Sequence, residues 1–223
     1  MITLYGMYRS RATRNIWAAT ELGLDWHLKP VIQAYRLEAQ GIDPAHPEAP
    51  FNTRTPEFLK LSPAGAIPVM EDAGLVLSES LAINLYMAKK AGGPLAPKDL
   101  REEAQMLQWA LYGATAIENP ALDISFAYAR GEAATENGEA KIAAASAQLH
   151  RPFKALETHL AAHSHMVGGR FTVADINMAE IVRYAQAHTR LMAQFPRLSG
   201  WLDLCQSRPA FRDLMERRAA EPA

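Results

Sequence analysis

The chain has 223 residues, a formal net charge of −1 and 49% hydrophobic residues, which suits one large domain or two small ones with real cores. A charge so near zero gives no bulk attraction to nucleic acid or to a membrane surface, and no apolar stretch reaches membrane-spanning length. The single cysteine, Cys205, excludes an intramolecular disulfide and a CxxC motif, and the MITLYGMYRSR start lacks the apolar core of a secretion signal, so a cytoplasmic protein is expected.

The first half mixes strand and helix signals. Ile2–Tyr5 reads as a strand and a helix follows from about Arg11, with Gly23 as its C-terminal stop. Leu24–Val31 reads as a second strand, in which Trp26 and Leu28 alternate with His27 and Lys29. Strand, helix and strand in this order predict parallel pairing through a right-handed crossover. Gln33–Lys60 carries Pro44, Pro47, Pro50 and Pro56 and is expected to be largely an extended surface loop, with a helical turn near Thr55–Leu61. Ile67–Leu77 reads as a hairpin turning at Asp72-Ala73-Gly74, and Ser80–Ala91 as the helix that closes a domain over residues 1–91.

Gly92-Gly93-Pro94 opens a linker over residues 92–99, and from 100 to 223 the pattern is helical. Asp99 is placed to cap the next helix, whose apolar stripe is read as Ala104, Leu107, Leu111, Ala114 and Ile117, with Pro120 interrupting it. Ile142, Leu149, Phe153, Leu156 and Leu160 mark a long helix that is expected to bend near Pro152 and to run to Gly168-Gly169. In FTVADI, Thr172 caps a helix and Asp175 reaches back to the cap amide, a capping box worth about 1 kcal/mol. Ser207 and Pro209 separate two last helical pieces, and Arg217–Ala223 is expected to fray. His159 and His163 share a helix face without a third ligand nearby, so no metal site is expected.

The most informative segment is Leu61–Tyr86, LSPAGAIPVMEDAGLVLSESLAINLY. Pro68 cannot donate to a strand ladder, so it opens the strand or lies at an edge. The helix start at Ser80 offers amides suited to a carboxylate or phosphate. A proline-presented backbone edge beside an anion site suits a ligand with both peptide groups and a free carboxylate.

SPAGAIPV, ESLAI and FTVADI, in this order and spacing, resemble the motifs of the cytosolic glutathione S-transferases, in particular serine-type, bacterial-like members. The resemblance covers nearly the whole chain. It implies an α/β thioredoxin-like N-terminal domain followed by an all-α C-terminal helical domain, as a homodimer. It implies glutathione as co-substrate, no metal, and a small hydrophobic or electrophilic second substrate held between the domains. Carried over residue by residue, Pro68 matches the family's cis-proline, which presents the backbone of Ile67 to the cysteinyl part of glutathione. Glu79 and Ser80 match the pair that takes the γ-glutamyl end. Ser10 matches the serine that stabilises the glutathione thiolate. Arg11 departs from the family, where many relatives have a small residue; with Arg9 and Arg14 it concentrates positive charge, and it would hold an anion or favour the thiolate, the alternative being a solvated basic face.

The chemistry needs no protein nucleophile. A free thiol has a pKa near about 8.5 and reacts as the thiolate, which a hydroxyl donor at a helix N-terminus stabilises. Tyr5 and Tyr8 are the rivals for that role, and tyrosine-type members place the phenol near the end of the first strand, where Tyr5 sits. Ser10-Arg11-Ala12-Thr13 holds no cysteine, which removes glutaredoxin-like chemistry and departs from the Ser-Ser-Cys run of the isomerase relatives. Ala66 stands where relatives often carry Lys or Gln, so a contact to the glycyl end would come instead from Asn52, Thr53 or Arg54. The alternatives to a transferase that attacks an electrophilic or peroxidic molecule are a non-catalytic binding or scaffold protein on the same fold, or a glutathione-dependent isomerase or disulfide reductase.

Overall fold

A computed structural model of the chain describes residues 1–221 and divides into two compact units. The first holds strands β1 (Ile2–Gly6), β2 (Trp26–Pro30), β3 (Val69–Asp72) and β4 (Leu75–Ser78) in one sheet of order β2-β1-β3-β4. β1 and β2 run parallel, with Leu4 opposite Leu28, and helix α1 (Ala12–Glu21) makes the crossover between them. Gly23, at φ +62°, turns the chain out of α1, a conformation that glycine adopts without penalty. β1–β3 and β3–β4 are antiparallel. The β3–β4 turn has positive φ at both Ala73 and Gly74, the handedness that matches strand twist. Tyr86 and Lys90 of α4 (Ser80–Ala91) both reach the buried Asp72, the phenol at 2.8 Å, and Lys90 holds the Asp72 carboxyl below its ordinary pKa.

The Gln33–Lys60 segment is more ordered than an extended loop. It contains α2 (Ala34–Ala39), and Pro56 begins α3 (Pro56–Leu61), as expected from the sequence. Six residues are too few for helical periodicity to stand out. Between these helices Asn52 is fully buried. Its Nδ2 donates to the carbonyls of Pro44 (3.0 Å) and Pro50 (2.8 Å), and its Oδ1 accepts from the Arg54 amide (2.8 Å).

The second unit, Gly92–Arg208, is helical. α5 (Leu100–Tyr112) is capped by Asp99, which accepts from the Glu102 amide at 2.8 Å. Its buried face is Met106 and Ala110, continued by Gly113 and Ile117; Leu107 and Leu111, read from sequence as core, are 49% and 57% exposed. Two apolar stripes lie one residue apart on this helix. The buried one is built on small residues with little hydrophobic signal: a Cβ on Gly113 would come within 2.7 Å of Ile181 Cδ1. The chain then makes a π-turn over Gly113–Ile117 before α6 (Glu118–Ala129). Pro120, at which the sequence predicts an interruption, lies in the first turn of α6, three residues past the π-turn.

α7 (Glu136–Ala162) buries Ile142, Leu149, Phe153, Leu156 and Leu160 as expected, but stops at Ala162, six residues before Gly168. α8 (Val173–Val182) is buried along its whole length, and α9 (Thr189–Met192) and α10 (Pro196–Gln206) follow. Asp175 of α8 accepts from the Thr172 amide (2.9 Å), the Thr172 hydroxyl (3.1 Å), the Met166 amide (2.9 Å) and Trp201 Nε1 (3.0 Å). The capping box is therefore also a tie between three segments of this unit.

The last helix, α11 (Pro209–Ala220), packs with the first unit, although its sequence position placed it with the helical domain. Phe211 meets Trp17 of α1 with ring centroids 4.8 Å apart. The fraying expected from Arg217 does not occur through Glu221, whose amide still bonds the Arg217 carbonyl at 3.1 Å. Pro222 and Ala223, the rest of that expectation, lie outside the described residues.

Candidate functional site

The site expected from sequence begins where β1 runs into α1. Gly6 ends the strand so close to the helix that a Cβ there would lie 2.5 Å from the Ala12 Cβ. Met7–Arg11 make the connection. The Ser10 hydroxyl donates to the Met7 carbonyl at 2.7 Å and accepts from the Ala12 amide at 3.1 Å, so it closes the turn and serves the helix start. Ser10 is half-buried and Arg11 is exposed.

Tyr5 is differently placed. It is 6% exposed and packs with Val31, Phe58, Ile67 and Val69. Its hydroxyl donates to Glu71 Oε2 at 2.9 Å, and burial first, then Glu71, push the phenol up to about 12.

Ser80 is buried at the start of α4. Its hydroxyl accepts from Arg14 Nη1 at 3.0 Å, and its carbonyl accepts from Asn15 Nδ2 at 2.8 Å. Arg14 is itself 1% exposed, so it is not part of a solvated basic face with Arg9 and Arg11. Sequence reasoning missed this pairing, because only the fold brings the facing sides of α1 and α4 together. Glu79 is exposed and sits at φ +68°, a left-handed conformation costly for a residue with a Cβ. The Ile67–Pro68 peptide bond is cis, with both residues buried just before β3.

An open cavity of about 460 Å³ lies beside these elements. Arg11 and Ile67 line it, together with Gln33, Tyr35, Thr53 and Arg54. Of the three substitutes considered for the glycyl contact, Arg54 and Thr53 reach this cavity, while Asn52 is spent on the Pro44 and Pro50 carbonyls. Thr53 Oγ1 also accepts from the Ala34 amide at 3.0 Å, and Arg54 pairs with Glu38 at 2.6 Å. Ser10, Pro68, Glu79 and Ser80 are not among the residues lining the cavity. Among the described residues, no group of three or more His, Cys, Asp and Glu side chains is placed to hold a metal ion. His159 and His163 stack on each other, with centroids 4.4 Å apart.

Two family models match the chain, described as the glutathione S-transferase N-terminal domain over residues 9–90 and the glutathione S-transferase C-terminal domain over residues 104–209. The chain belongs to the glutathione S-transferase family. Its curated relatives include elongation factor 1-gamma 2 of Oryza sativa subsp. japonica, 34% identical over 175 residues, covering 74% of this chain and 40% of the relative. Elongation factor 1-gamma of Rattus norvegicus is 32% identical over 170 residues, covering 73% and 37%. The chain thus spans about two fifths of the length of these relatives.

Similar solved structures include glutathione S-transferase III in apo form, with 28% identity and a TM-score of 0.78 over 100% of this chain and 99% of that one. A theta class glutathione S-transferase from Xanthomonas axonopodis pv. citri, with glutathione bound, has 25% identity and a TM-score of 0.71 over 95% of each chain. Glutathione transferase F7 from Populus trichocarpa has 24% identity and a TM-score of 0.79 over 98% and 99%, a likeness of fold alone.

Proposed function

We propose that the chain is a glutathione transferase whose first unit binds glutathione and whose Ser10 hydroxyl stabilises the thiolate for attack on an electrophilic or peroxidic small molecule. The observation that carries this reading is the shared cavity of Arg11 and Ile67, two residues assigned to glutathione from sequence alone. Its volume falls in the range of small-ligand sites, about 300–1,000 Å³.

Each group has a chemical part in this reading. The Ser10 proton now rests on a neutral carbonyl. Turning it to a thiolate exchanges that acceptor for a charged one, and charge-assisted hydrogen bonds are about twice as strong. Arg11 adds positive charge on the cavity side. The Ile67 backbone meets the cysteinyl peptide group, with Pro68 fixing its direction. The Ser80 hydroxyl uses only an acceptor position on Arg14, so its proton is available to a carboxylate at the start of α4. Glu79, exposed at that start, faces the ammonium group. A homodimer in the cytoplasm belongs to the same reading, and the exposed Leu100, Leu107 and Leu111 of α5 offer an apolar face for it. Among the described residues no helix is long and apolar enough to cross a membrane.

One observation favours a second reading. The curated relatives named above carry the name of an elongation factor, which fits a non-catalytic binding or scaffold role on this fold. Titration calorimetry with glutathione separates the two. The transferase reading expects one site per chain; no heat at millimolar ligand removes it and leaves the scaffold.

A further inference from the structure

The loop that carries Ser10 is held from outside the sheet. The Glu221 carboxylate accepts from the Tyr8 amide at 2.9 Å through one oxygen and from the Arg9 amide at 2.7 Å through the other. Arg218 Nη1 donates to the Tyr8 carbonyl at 2.5 Å, and the Arg218 carbonyl accepts from Arg9 Nε at 3.2 Å. Arg36 Nη2, from α2, donates to the Arg9 carbonyl at 2.7 Å. All four backbone polar groups of Tyr8 and Arg9 are therefore held by side chains. Glu221 and Arg218 lie more than 200 residues away in sequence. Buried backbone groups have to find partners, and a loop normally finds them within itself or in water.

The placement of Glu221 has an electrostatic side. An acidic residue at a helix C-terminus opposes the helix dipole, whereas Arg217 and Arg218 in the last turn complement it. Two amide donors offset this cost for Glu221. Their geometry also leaves little freedom: a carboxylate bridging successive amides fixes the direction of both peptide planes. The next residue is Ser10, whose hydroxyl is bonded to Met7 on the other side of the clamped pair.

We propose that Glu221 and Arg218 are positioning residues for the Met7–Ser10 loop, fixing its backbone so that the Ser10 hydroxyl can turn from the Met7 carbonyl to the glutathione sulfur without the loop moving. This rests on the transferase reading given above. With the backbone clamped, only the hydroxyl and its χ1 angle have to change. Without the clamp, ordering the loop would be charged against each binding event.

The test compares the full chain with Glu221→Ala, Glu221→Gln, Ser10→Ala and the Ser10→Ala/Glu221→Ala pair. Two quantities are read: amide hydrogen exchange at Tyr8 and Arg9 without ligand, and the pKa of the bound glutathione thiol by ultraviolet titration of the thiolate. Hydrogen bonds to a charged group are stronger than those between neutral groups, so loss of the carboxylate should speed exchange at these amides by about tenfold or more. Glu221→Gln, which keeps one acceptor oxygen and turns an NH2 toward the other donor, should be intermediate. Glu221→Ala should raise the bound-thiol pKa, and the same change made on Ser10→Ala should not raise it further, because the clamp acts through Ser10.

Unchanged exchange overturns the proposal. So does faster exchange with an unmoved thiol pKa, since the clamp would then only hold the loop, and so does full additivity in the Ser10→Ala background. If the parent protein binds no glutathione, the transferase reading fails instead, and the exchange rates still decide whether Glu221 orders the loop.

Discussion

The Tyr5 hydroxyl donates to Glu71 Oε2 at 2.9 Å between the neighbouring strands β1 and β3. A phenol so engaged, with its pKa raised to about 12 by burial and by Glu71, does not ionise near neutrality. It is a core residue with a satisfied polar tip. Tyr5→Phe should therefore cost about 1 kcal/mol in a denaturant melt. It should leave turnover of glutathione with a test electrophile unchanged. A large loss of turnover without a loss of stability would move the thiolate role from Ser10 to Tyr5.

Asp175 accepts four hydrogen bonds from three segments of the helical unit. Burial raises its carboxyl pKa, and the hydrogen bonds from Met166, Trp201 and Thr172 work against that rise. Asp175→Asn puts an NH2 against groups that are all donors, so it should destabilise by about 2–4 kcal/mol although its shape is almost unchanged. Thr172→Ala, which removes the cap and one of the four donors, should cost less, about 1–2 kcal/mol. Chemical denaturation of the two variants gives both numbers; equal losses would mean that the ties to Met166 and Trp201 add nothing.

Arg170 grips Glu102 through two hydrogen bonds of 2.8 and 2.7 Å and also donates to the carbonyls of Pro94 (2.8 Å) and Ala96 (2.8 Å). The Arg170 hydrogen bond holds the Glu102 carboxyl at about 2, below its ordinary 4.5. A lowered carboxyl pKa stabilises the fold above the unfolded value, and this stability is lost as pH falls from about 4.5 to about 2. Arg170→Ala should cost about 1–3 kcal/mol at neutral pH and flatten this acid limb. Melting temperatures from pH 7 down to pH 2 test it. A variant that keeps the acid limb of the parent would show that other carboxylates produce it.

Local chemistry was legible in the sequence wherever a residue type decides a backbone conformation. Gly23 ended α1, Asp99 and Thr172 capped their helices, and Asp72-Ala73-Gly74 turned the hairpin. The parallel β1–α1–β2 unit followed from strand–helix–strand order. What the sequence hid was partnership over long distances. Leu107 and Leu111 outweighed Ala110 and Gly113 in hydrophobicity, yet the smaller residues form the buried face because they allow closer approach. α2 was too short for its period to register.

The residues of the proposed site were singled out by the same kind of signal. Ser10, Ile67, Pro68, Glu79 and Ser80 stand in motifs, which are local. The partners of those residues do not: Arg14 on Ser80, Glu71 on Tyr5, and Glu221 on the amides of Tyr8 and Arg9 come from packing alone. Arg14 resembled one of three surface arginines until the facing sides of α1 and α4 buried it.

The measurement that bears most directly on the central claim is the pKa of the glutathione thiol when bound to the parent chain and to Ser10→Ala. A hydrogen bond to an anion is worth about 1.5–3 kcal/mol. The parent should hold the thiol below its free value near about 8.5. Ser10→Ala should raise it by about 1–2 units and lower turnover by about tenfold to a hundredfold, with glutathione affinity little changed. A bound thiol that titrates at the same pH in both proteins would contradict the assignment of the thiolate to Ser10.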